Sequence, residues 1–419
     1  MDAICISQEA QREKEDQIKM MAEIYGQAAR VINWLGEAAT NSDQALDAIR
    51  IAGIKTSCHS LNKKAIEKSI LAILQRPWFR RIWVRDYLIR TDTIADEWNQ
   101  ILQEVAAARN ILIACGSARI DGYAFCLGVE PLMKLCNAPP GLQNLIRSVA
   151  YLVRGAIFRP QGGGDWVSNA VCSLGELIDM YHTHEATLHS DKVYALLGMS
   201  SGKFHNTGLA PDYSIPWKDL FETLARHVLC KELSVEALPE EEYAIVRGKG
   251  YVLGSISTLV ETTINGRQDV LVAWRRRLVT AMTAENWDSR WDLQPSAKQI
   301  MKEDVVCLFQ GASKPTIIRF CEDHWTIVVI AANPPRPMLA KAEEVEWSKY
   351  LQDADGLRVR ELRCSWNLNK SQRKMSDQEE HHAARGSLDH TIQTWNSALV
   401  LGDAKEYGKA ESKCKGLKP

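Results

Sequence analysis

The sequence predicts an α/β fold that begins with a partial parallel sheet and continues into a helical region and a small antiparallel β-rich part. The first observation is a strand-like, a helix-like and a second strand-like segment at residues 2–6, 9–29 and 30–35. A strand, helix and strand this close together form a βαβ unit, whose strands are parallel. The second is that β-branched and aromatic residues alternate with glycines beyond residue 240, which is typical of antiparallel strands.

The first three segments are justified by their patterns. Residues 2–6, DAICI, form a short and largely apolar run that predicts a buried strand. Residues 9–29 predict an amphipathic helix, because their apolar residues recur at helical spacing. Arg30–Leu35 predicts a strand that ends at Gly36. Helices cover both faces of a parallel sheet, so two strands alone are not stable and further strands are expected.

The middle of the chain predicts mainly helices. They are expected at residues 43–54, 63–75, 94–108, 168–181, 190–197 and 217–232. Residues 111–122 predict a short strand with a turn, and residues 123–158 predict helix interrupted at Pro139-Pro140. Residues 76–91 mix helical and strand periods and predict neither state.

The β-rich part is expected to contain strands within residues 243–260, 305–320 and 324–332, separated by a Trp-rich helical stretch around 272–303. These boundaries predict four regions: a βαβ core at 1–122, a helical region at 123–238, the β-rich region at 239–335 and a polar, partly helical or disordered tail at 336–419.

Composition excludes several functional classes. The 419 residues exceed one ordinary core, and a net charge of −1 gives no general attraction for nucleic acid or an anionic membrane. No apolar run approaches the roughly 18 residues of a membrane-spanning helix. The 11 cysteines include no CxxC pair, which favours reduced thiols and a cytoplasmic protein.

The carboxyl end of the first predicted strand carries Asp2, Cys5, Ser7 and Gln8. In open parallel sheets, ligands bind in the crevice outside these strand ends. A cysteine near a helix N-terminus also favours the thiolate. The alternative interpretation is structural: Ser7 caps the helix, Gln8 is solvated and Cys5 packs as a small apolar residue.

A second cluster, HTHEATLHSD at residues 182–191, contains enough ligand types for zinc. Its HxH spacing places the two histidines on opposite sides of a helix, and no HExxH motif is present. We therefore expect a polar loop leading into a helix at Lys192, and no metal.

Arginines alternate with aromatic residues in RPWFRRIWVRDY, residues 76–87. This combination can bind single-stranded nucleic acid, but the cluster is short and the chain is neutral. Packing of the aromatic rings under the arginine stems is the favoured interpretation. The glycines of QGGGD, residues 161–165, have no phosphate-binding spacing and predict a loop.

Several phrases together resemble the heterokaryon incompatibility (HET) domain family of filamentous fungi. DAICISQ, AARVINWLG and RPWFRRIWV are followed by DKVYALLG and DYS, and later by GASKP with an arginine, over about residues 1–332. The resemblance gives structural or motif roles to twelve residues: Asp2, Cys5, Gln8, Tyr25, Trp34, Gly36, Trp78, Trp83, Asp191, Tyr194, Gly198 and Arg319.

The family is distantly similar to the TIR fold, so the resemblance implies a partial TIR-like or flavodoxin-like parallel sheet. Some TIR proteins hydrolyse NAD with a glutamate. The corresponding crevice would hold Cys5, Gln8 and Asp86, although the family has Gln-Glu where this chain has Asp86-Tyr87, and Ser7 replaces the usual Asn. Family members also have a segment before the DAICI phrase, so the resemblance implies an N-terminally truncated domain that starts at an internal methionine.

The resemblance favours a non-enzymatic signalling and interaction module in fungal non-self recognition, linked to programmed cell death. Such a module implies a protein partner, no cofactor, no nucleic acid and no membrane span. Two alternatives remain open at this stage. One is a TIR-like effector that consumes NAD, and the other is an inactive truncated product.

Overall fold

The computed structural model describes the backbone of most of the chain up to Leu368. The described residues are 24–54, 63–83, 101–155, 172–186, 188–200, 204, 207–239, 241–260, 268–275, 290–295, 298–321, 324–334, 347, 351 and 358–368. The predicted strand at residues 2–6 lies outside them. No helix in these ranges is long and apolar enough to cross a membrane.

The helices are α1 Ser42–Ile54, α2 Lys63–Leu74, α3 Ile101–Ala107, α4 Gly122–Leu135, α5 Pro140–Gly155, α6 Leu174–Tyr181, α7 Asp191–Leu197 and α8 Trp217–Val228. The strands are β1 Val31–Trp34, β2 Arg81–Trp83, β3 Ile111–Cys115, β4 Ala118–Asp121, β5 Glu185–Ala186, β6 Ser234–Ala237, β7 Tyr243–Val260, β8 Gln268–Trp274, β9 Arg290–Leu293, β10 Val305–Phe309, β11 Thr316–Cys321, β12 His324–Val329 and β13 Arg360–Asn367. The mixed α/β class predicted from the sequence is confirmed.

The chain divides into two compact units. The N-terminal unit comprises residues 1–220 with 264–266 and 294–297, and the C-terminal unit comprises 221–263, 267–293 and 298–419. The division falls within α8.

A three-stranded sheet in the order β1-β3-β4 organises the N-terminal unit. β1 runs parallel to β3, with Val31 opposite Ile111 and Trp34 opposite Ala114. β3 and β4 form an antiparallel hairpin whose turn contains Gly116 at φ +55°. A parallel pair is thus present in this unit, but the predicted pairing of residues 2–6 with residues 30–35 lies outside the described residues and stays a prediction.

Residues 76–91 have a mixed helical and strand periodicity in the sequence. The described part of this segment forms a short 3₁₀ turn at Pro77–Arg80 and then β2. β2 pairs in parallel with β5, with Arg81 opposite Glu185. The segment is thus two short elements in succession, and this explains why neither the helical nor the strand period persists along it.

Five strands of the C-terminal unit form a closed ring. The pairings run β7–β10, β10–β11, β11–β12, β12–β13 and β13–β7. All are antiparallel except β12–β13, which is parallel. Closure satisfies the backbone groups that an open sheet would expose along its edges. β6 and β8 also pair with β7, and β9 extends the sheet from β8.

Two expectations for the C-terminal half were wrong in detail. The stretch around 272–303, predicted to be helical and Trp-rich, contains the end of β8 and all of β9, and Trp274 and Trp291 pack there with ring centroids 5.6 Å apart. Aromatic and β-branched residues favour strands when a sheet face buries them, and this outweighs local helical spacing. The region assigned to a polar tail contributes β13, which pairs with β7 from Arg360 to Asn367.

Two glycines bring α1 and α4 into backbone contact. A Cβ atom on Gly128 would lie 1.7 Å from the Ile49 carbonyl oxygen, and one on Gly53 would lie 2.9 Å from the Ala124 carbonyl oxygen. No side chain fits at this crossing. The close approach buries Leu46 and Ile49 of α1, which are both 0% exposed.

We expect Gly128→Ala to lower the free energy of unfolding by at least about 2 kcal/mol, because the new methyl group forces the two helices apart. The matched control is Gly141→Ala at the start of α5, where a Cβ meets nothing within 4 Å. That change should be neutral or stabilise by up to about 1 kcal/mol. The urea midpoint, followed by circular dichroism, measures both. Equal midpoints for the two variants would contradict the close crossing.

Candidate functional site

The residues proposed for the sheet crevice, Cys5, Gln8 and Asp86, lie outside the described residues, as does Asp2. The side chain of Trp83 is also not described. The other motif residues are described, and most of them lie in the N-terminal unit.

The WLG and RPW phrases meet at the carboxyl end of β1. The Arg76 Nη1 donates to the Leu35 carbonyl oxygen at 2.9 Å. Gly36 adopts φ +106°, and a Cβ there would lie 2.9 Å from the same Nη1 atom. The Gly36 carbonyl accepts from the Gly116 amide at 3.0 Å. Glycine is favoured at residue 36 because φ +106° lies in a backbone region that other residues rarely adopt, and a Cβ atom there would also displace the end of the Arg76 side chain.

The aromatic residues after Arg76 pack inside the unit. Trp78 is 8% exposed and its ring lies edge-on to Phe79 at a centroid distance of 4.8 Å. Phe79 in turn stacks on Phe125 at 5.9 Å. Trp78 and Phe79 are therefore buried, as the packing interpretation expects, and buried rings are not available to stack on bases. Trp34 differs, because it is 48% exposed on β1.

A helical turn at residues 24–27, before β1, is bonded to α3. The Tyr25 hydroxyl donates to Glu104 Oε1 at 2.7 Å, across 79 residues of sequence. Tyr25 therefore anchors the segment before β1 to the rest of the unit.

Two tyrosines and two aspartates join the DKVYALLG and DYS phrases, and we call Asp191, Tyr194, Asp212 and Tyr213 the tyrosine latch. The Tyr213 hydroxyl donates to Asp191 Oδ1 at 2.9 Å, and the Tyr194 hydroxyl donates to the Asp212 carbonyl oxygen at 2.8 Å. The two rings pack edge to face at 5.3 Å. Each phrase thus supplies one donor and one acceptor to the other.

The carboxylates of the latch are held in two different ways. Asp191 is 3% exposed and also accepts from the Leu188 amide at 3.3 Å. Asp212 is exposed, and hydrogen bonds from the Ser214 hydroxyl and amide lower the pKa of its carboxyl group. Gly198 ends α7 at φ −65°, a conformation open to any residue, so the latch does not depend on glycine there.

A buried polar group lies beside the latch. Lys192 is 6% exposed and its Nζ donates to the His182 carbonyl oxygen at 2.9 Å. His184 is 0% exposed and packs edge-on against Tyr181 at 5.3 Å. The predicted helix is confirmed, because α7 begins at Asp191, but the segment before it is not simply a polar loop, since it includes β5 and buries both histidines. Within the described ranges, no three His, Cys, Asp or Glu side chains group closely enough to hold a metal ion.

Four buried cysteines, Cys126, Cys136, Cys307 and Cys364, are poor nucleophiles. Burial raises the pKa of the Cys126 and Cys364 thiols to about 12, and that of Cys136 to about 11. The pKa of Cys307 is also raised by burial. A thiol with such a pKa stays protonated at neutral pH and does not attack a substrate.

Arg319 of the C-terminal unit forms a bidentate ion pair. Its Nε and Nη2 donate to the two carboxylate oxygens of Asp304, each at 2.8 Å, and Nη2 also donates to the Gln299 carbonyl oxygen at 2.7 Å. Asp304 is 2% exposed and accepts from the Met301 amide at 2.7 Å. The pair fixes a loop in which Glu303 adopts φ +75°. Asp304 could not be identified from the sequence, since no spacing rule links residues 304 and 319.

The described motif residues therefore contact one another and the backbone around them. Arg76 and Tyr213 lie within the RPW and DYS phrases, but only the structure shows their bonds to Leu35 and Asp191. Chemically, these groups stabilise turns and helix ends.

The fold and these contacts define a two-unit protein, with an α/β unit held by internal motif contacts and a second unit built on a closed β ring. Residues 1–86 match the family model described as Heterokaryon incompatibility protein (HET). Heterokaryon incompatibility protein 6, OR allele, of Neurospora crassa is 23% identical over 281 residues, covering 56% of this chain and 39% of that protein. The chain thus spans well under half the length of this relative. No solved structure matches. The N-terminal part of the chain is thus similar to the heterokaryon incompatibility (HET) domain.

We expect Tyr213→Phe to lower the free energy of unfolding by about 1–3 kcal/mol, because it leaves the buried Asp191 carboxylate short of a donor. The control is Tyr123→Phe, since Tyr123 is 38% exposed at the surface of α4. Urea unfolding of both variants tests the latch, and a control that loses as much stability as Tyr213→Phe would contradict it.

We expect Arg319→Lys to destabilise the C-terminal unit by about 1–3 kcal/mol, because lysine cannot make the bidentate contact with a buried carboxylate. Arg247→Lys is the control: its ion pair with Glu236 is exposed and is expected to contribute at most about 1 kcal/mol. Tryptophan fluorescence during urea unfolding measures both. A smaller loss for Arg319→Lys than for Arg247→Lys would sink this interpretation.

Proposed function

We propose that the chain acts in fungal heterokaryon incompatibility as a signalling and interaction module. The observation that carries the proposal is the family match over residues 1–86, supported by the incompatibility protein of Neurospora crassa. The relative is longer than this chain, so we take from it a biological process and not a complete mechanism.

The contacts of the motif residues support a role in interaction over catalysis. Arg76, Asp191 and Arg319 each bond to groups within their own unit. A catalytic group must reach a substrate and usually retains a perturbed charge in a cleft. The described motif residues instead rigidify surfaces on which a partner can dock.

The proposal implies a protein partner, a cytoplasmic location and no cofactor. Programmed cell death is its proposed output, triggered when an incompatible partner is present. The cysteine usage of the sequence supports the location, because 11 cysteines without a CxxC pair suit a reducing compartment.

The test is expression of the chain in Neurospora crassa, followed by heterokaryon formation with a panel of wild strains. We expect at least one pairing to show arrested growth and uptake of a dye that enters only dead cells. Tyr213→Phe, which loosens the latch, should weaken this response, whereas Tyr123→Phe should keep it. Immunoblots at matched expression distinguish a lost signal from lost protein. Normal growth in every pairing would count against the proposal.

A biochemical assay distinguishes the NAD-hydrolase alternative from the interaction proposal. Purified protein is incubated with NAD, and released nicotinamide is measured. The interaction proposal predicts no turnover. Turnover that disappears in both Asp86→Asn and Gln8→Ala would replace it with the enzymatic alternative.

A further inference from the structure

Two arginines lie side by side on neighbouring strands of the C-terminal unit, and we call Arg247 and Arg363 the arginine pair. β7 and β13 are antiparallel, and Arg247 lies directly opposite Arg363 in their register. The next pair along, Val246 and Cys364, is fully buried. Because side chains alternate along a strand, both arginines point to the other, more exposed face. Residues in this position have Cβ atoms about 4.5–5.5 Å apart.

The arrangement is unfavourable for the protein alone, because like charges directly opposite each other destabilise an antiparallel pair. Arg363 is half-buried, and among the described residues its guanidinium has no hydrogen-bond or ion-pair partner. Burial and then the Arg247 guanidinium lower the pKa of Arg363, and Tyr243 and Glu236 act in the opposite direction. No contact within the described fold therefore explains the second guanidinium.

The nearby carboxylates leave positive charge on this face. Glu236 of β6 accepts from Arg247 Nη2 at 3.3 Å, but the two side chains are 60% and 46% exposed. Exposed ion pairs are weak, so a competing anion can displace Glu236. Further along the same face, Glu361 lies opposite Lys249, and these two charges balance each other.

Polar side chains continue the face beyond Arg363. Ser365, two residues further along β13, shares this face, and its hydroxyl is hydrogen-bonded to the Thr326 hydroxyl at 2.9 Å. The Thr326 hydroxyl also lies 3.4 Å from His324 Nε2. β12 itself, His324–Val329, contains no acidic residue. The strand beside β13 therefore adds polar groups to the face and no negative charge.

We propose that the arginine pair binds a phosphate monoester group, held between the guanidiniums of Arg247 and Arg363. A carboxylate has two oxygens and is matched by the fork of one arginine, whereas a phosphate monoester has three terminal oxygens and accepts from both forks. Such a group carries a charge of about −1.5 to −2 at pH 7, which matches two guanidiniums once Glu236 is displaced. This assignment goes beyond the proposed role in incompatibility and does not depend on it.

The test is titration of the full chain with inorganic phosphate at constant ionic strength, followed by the amide NMR shifts of β7 and β13. We expect saturable shifts. Arg363→Gln and Arg247→Gln should each weaken binding at least about 10-fold, because each removes charge-assisted hydrogen bonds. Glu236→Gln should tighten binding by up to about 5-fold, because it removes a weak competitor. Arg358→Gln, at an exposed arginine before β13, is the matched control and should leave the affinity unchanged.

Stability in the absence of phosphate distinguishes binding from a structural role of Arg363. In chloride buffer, the urea midpoint of Arg363→Gln should be no lower than that of Arg358→Gln, because one of two opposed charges is gone. Phosphate should raise the midpoint of the unchanged chain and of Arg358→Gln, but not that of Arg363→Gln. A lower midpoint of Arg363→Gln in chloride with unchanged phosphate affinity would overturn the proposal, as would shifts that do not saturate. Arg247→Gln provides the test if Arg363→Gln does not fold.

Comparison ligands define the chemical class. Acetate should bind at least about 10-fold more weakly than phosphate, because it has fewer oxygens and less charge for the two forks. Equal or tighter binding of acetate contradicts the phosphate assignment. Blocked phosphoserine and glycerol 3-phosphate then distinguish the two sources of the group: tighter binding of phosphoserine identifies a phosphorylated protein, and tighter binding of glycerol 3-phosphate identifies a small phosphate ester.

Discussion

The N-terminal unit depends on the burial of an ionisable side chain, Asp191, at the start of α7. A carboxylate that is 3% exposed is tolerated only where donors replace its lost water. Tyr213 and the Leu188 amide supply those donors, and Tyr194 returns a bond to the DYS segment. The need to supply donors to Asp191 therefore fixes the position of α7 and also that of the DYS segment. β2 and β5 lie beside α7, so the RPW phrase is positioned through it as well.

In the C-terminal unit, the polar groups that need hydrogen-bond partners are mainly those of the backbone. Its five-stranded ring pairs the edges that an open sheet would leave exposed, and β13 completes the ring by joining β12 to β7. The Arg319–Asp304 pair then fixes the loop before β10 with a buried charge that is matched on both oxygens. In both units, the motif side chains hold irregular segments, whereas apolar packing holds the regular ones.

How far the sequence predicts this structure depends on whether the signal is local. β1, α1, α2 and α7 follow from periodicity and from stop residues such as Gly36 and Pro77, which act within a few residues. β8, β9 and β13 were missed because their strand state depends on partners far along the chain. The same distinction applies to the candidate site. Asp191 and Arg319 can be picked out from the family phrases, whereas Asp304, the partner of Arg319, is identified only from the folded structure.

The internal role of the motif residues has a consequence for recognition. If the shared phrases of the HET family build turns and helix ends, their presence specifies a scaffold and leaves the choice of partner to other surfaces. Such surfaces must carry groups that the fold itself does not use. Ile32 and Trp34 of β1 meet that condition, because their side chains are 58% and 48% exposed. Apolar groups gain from any cover, so they select partners less strictly than charged groups do.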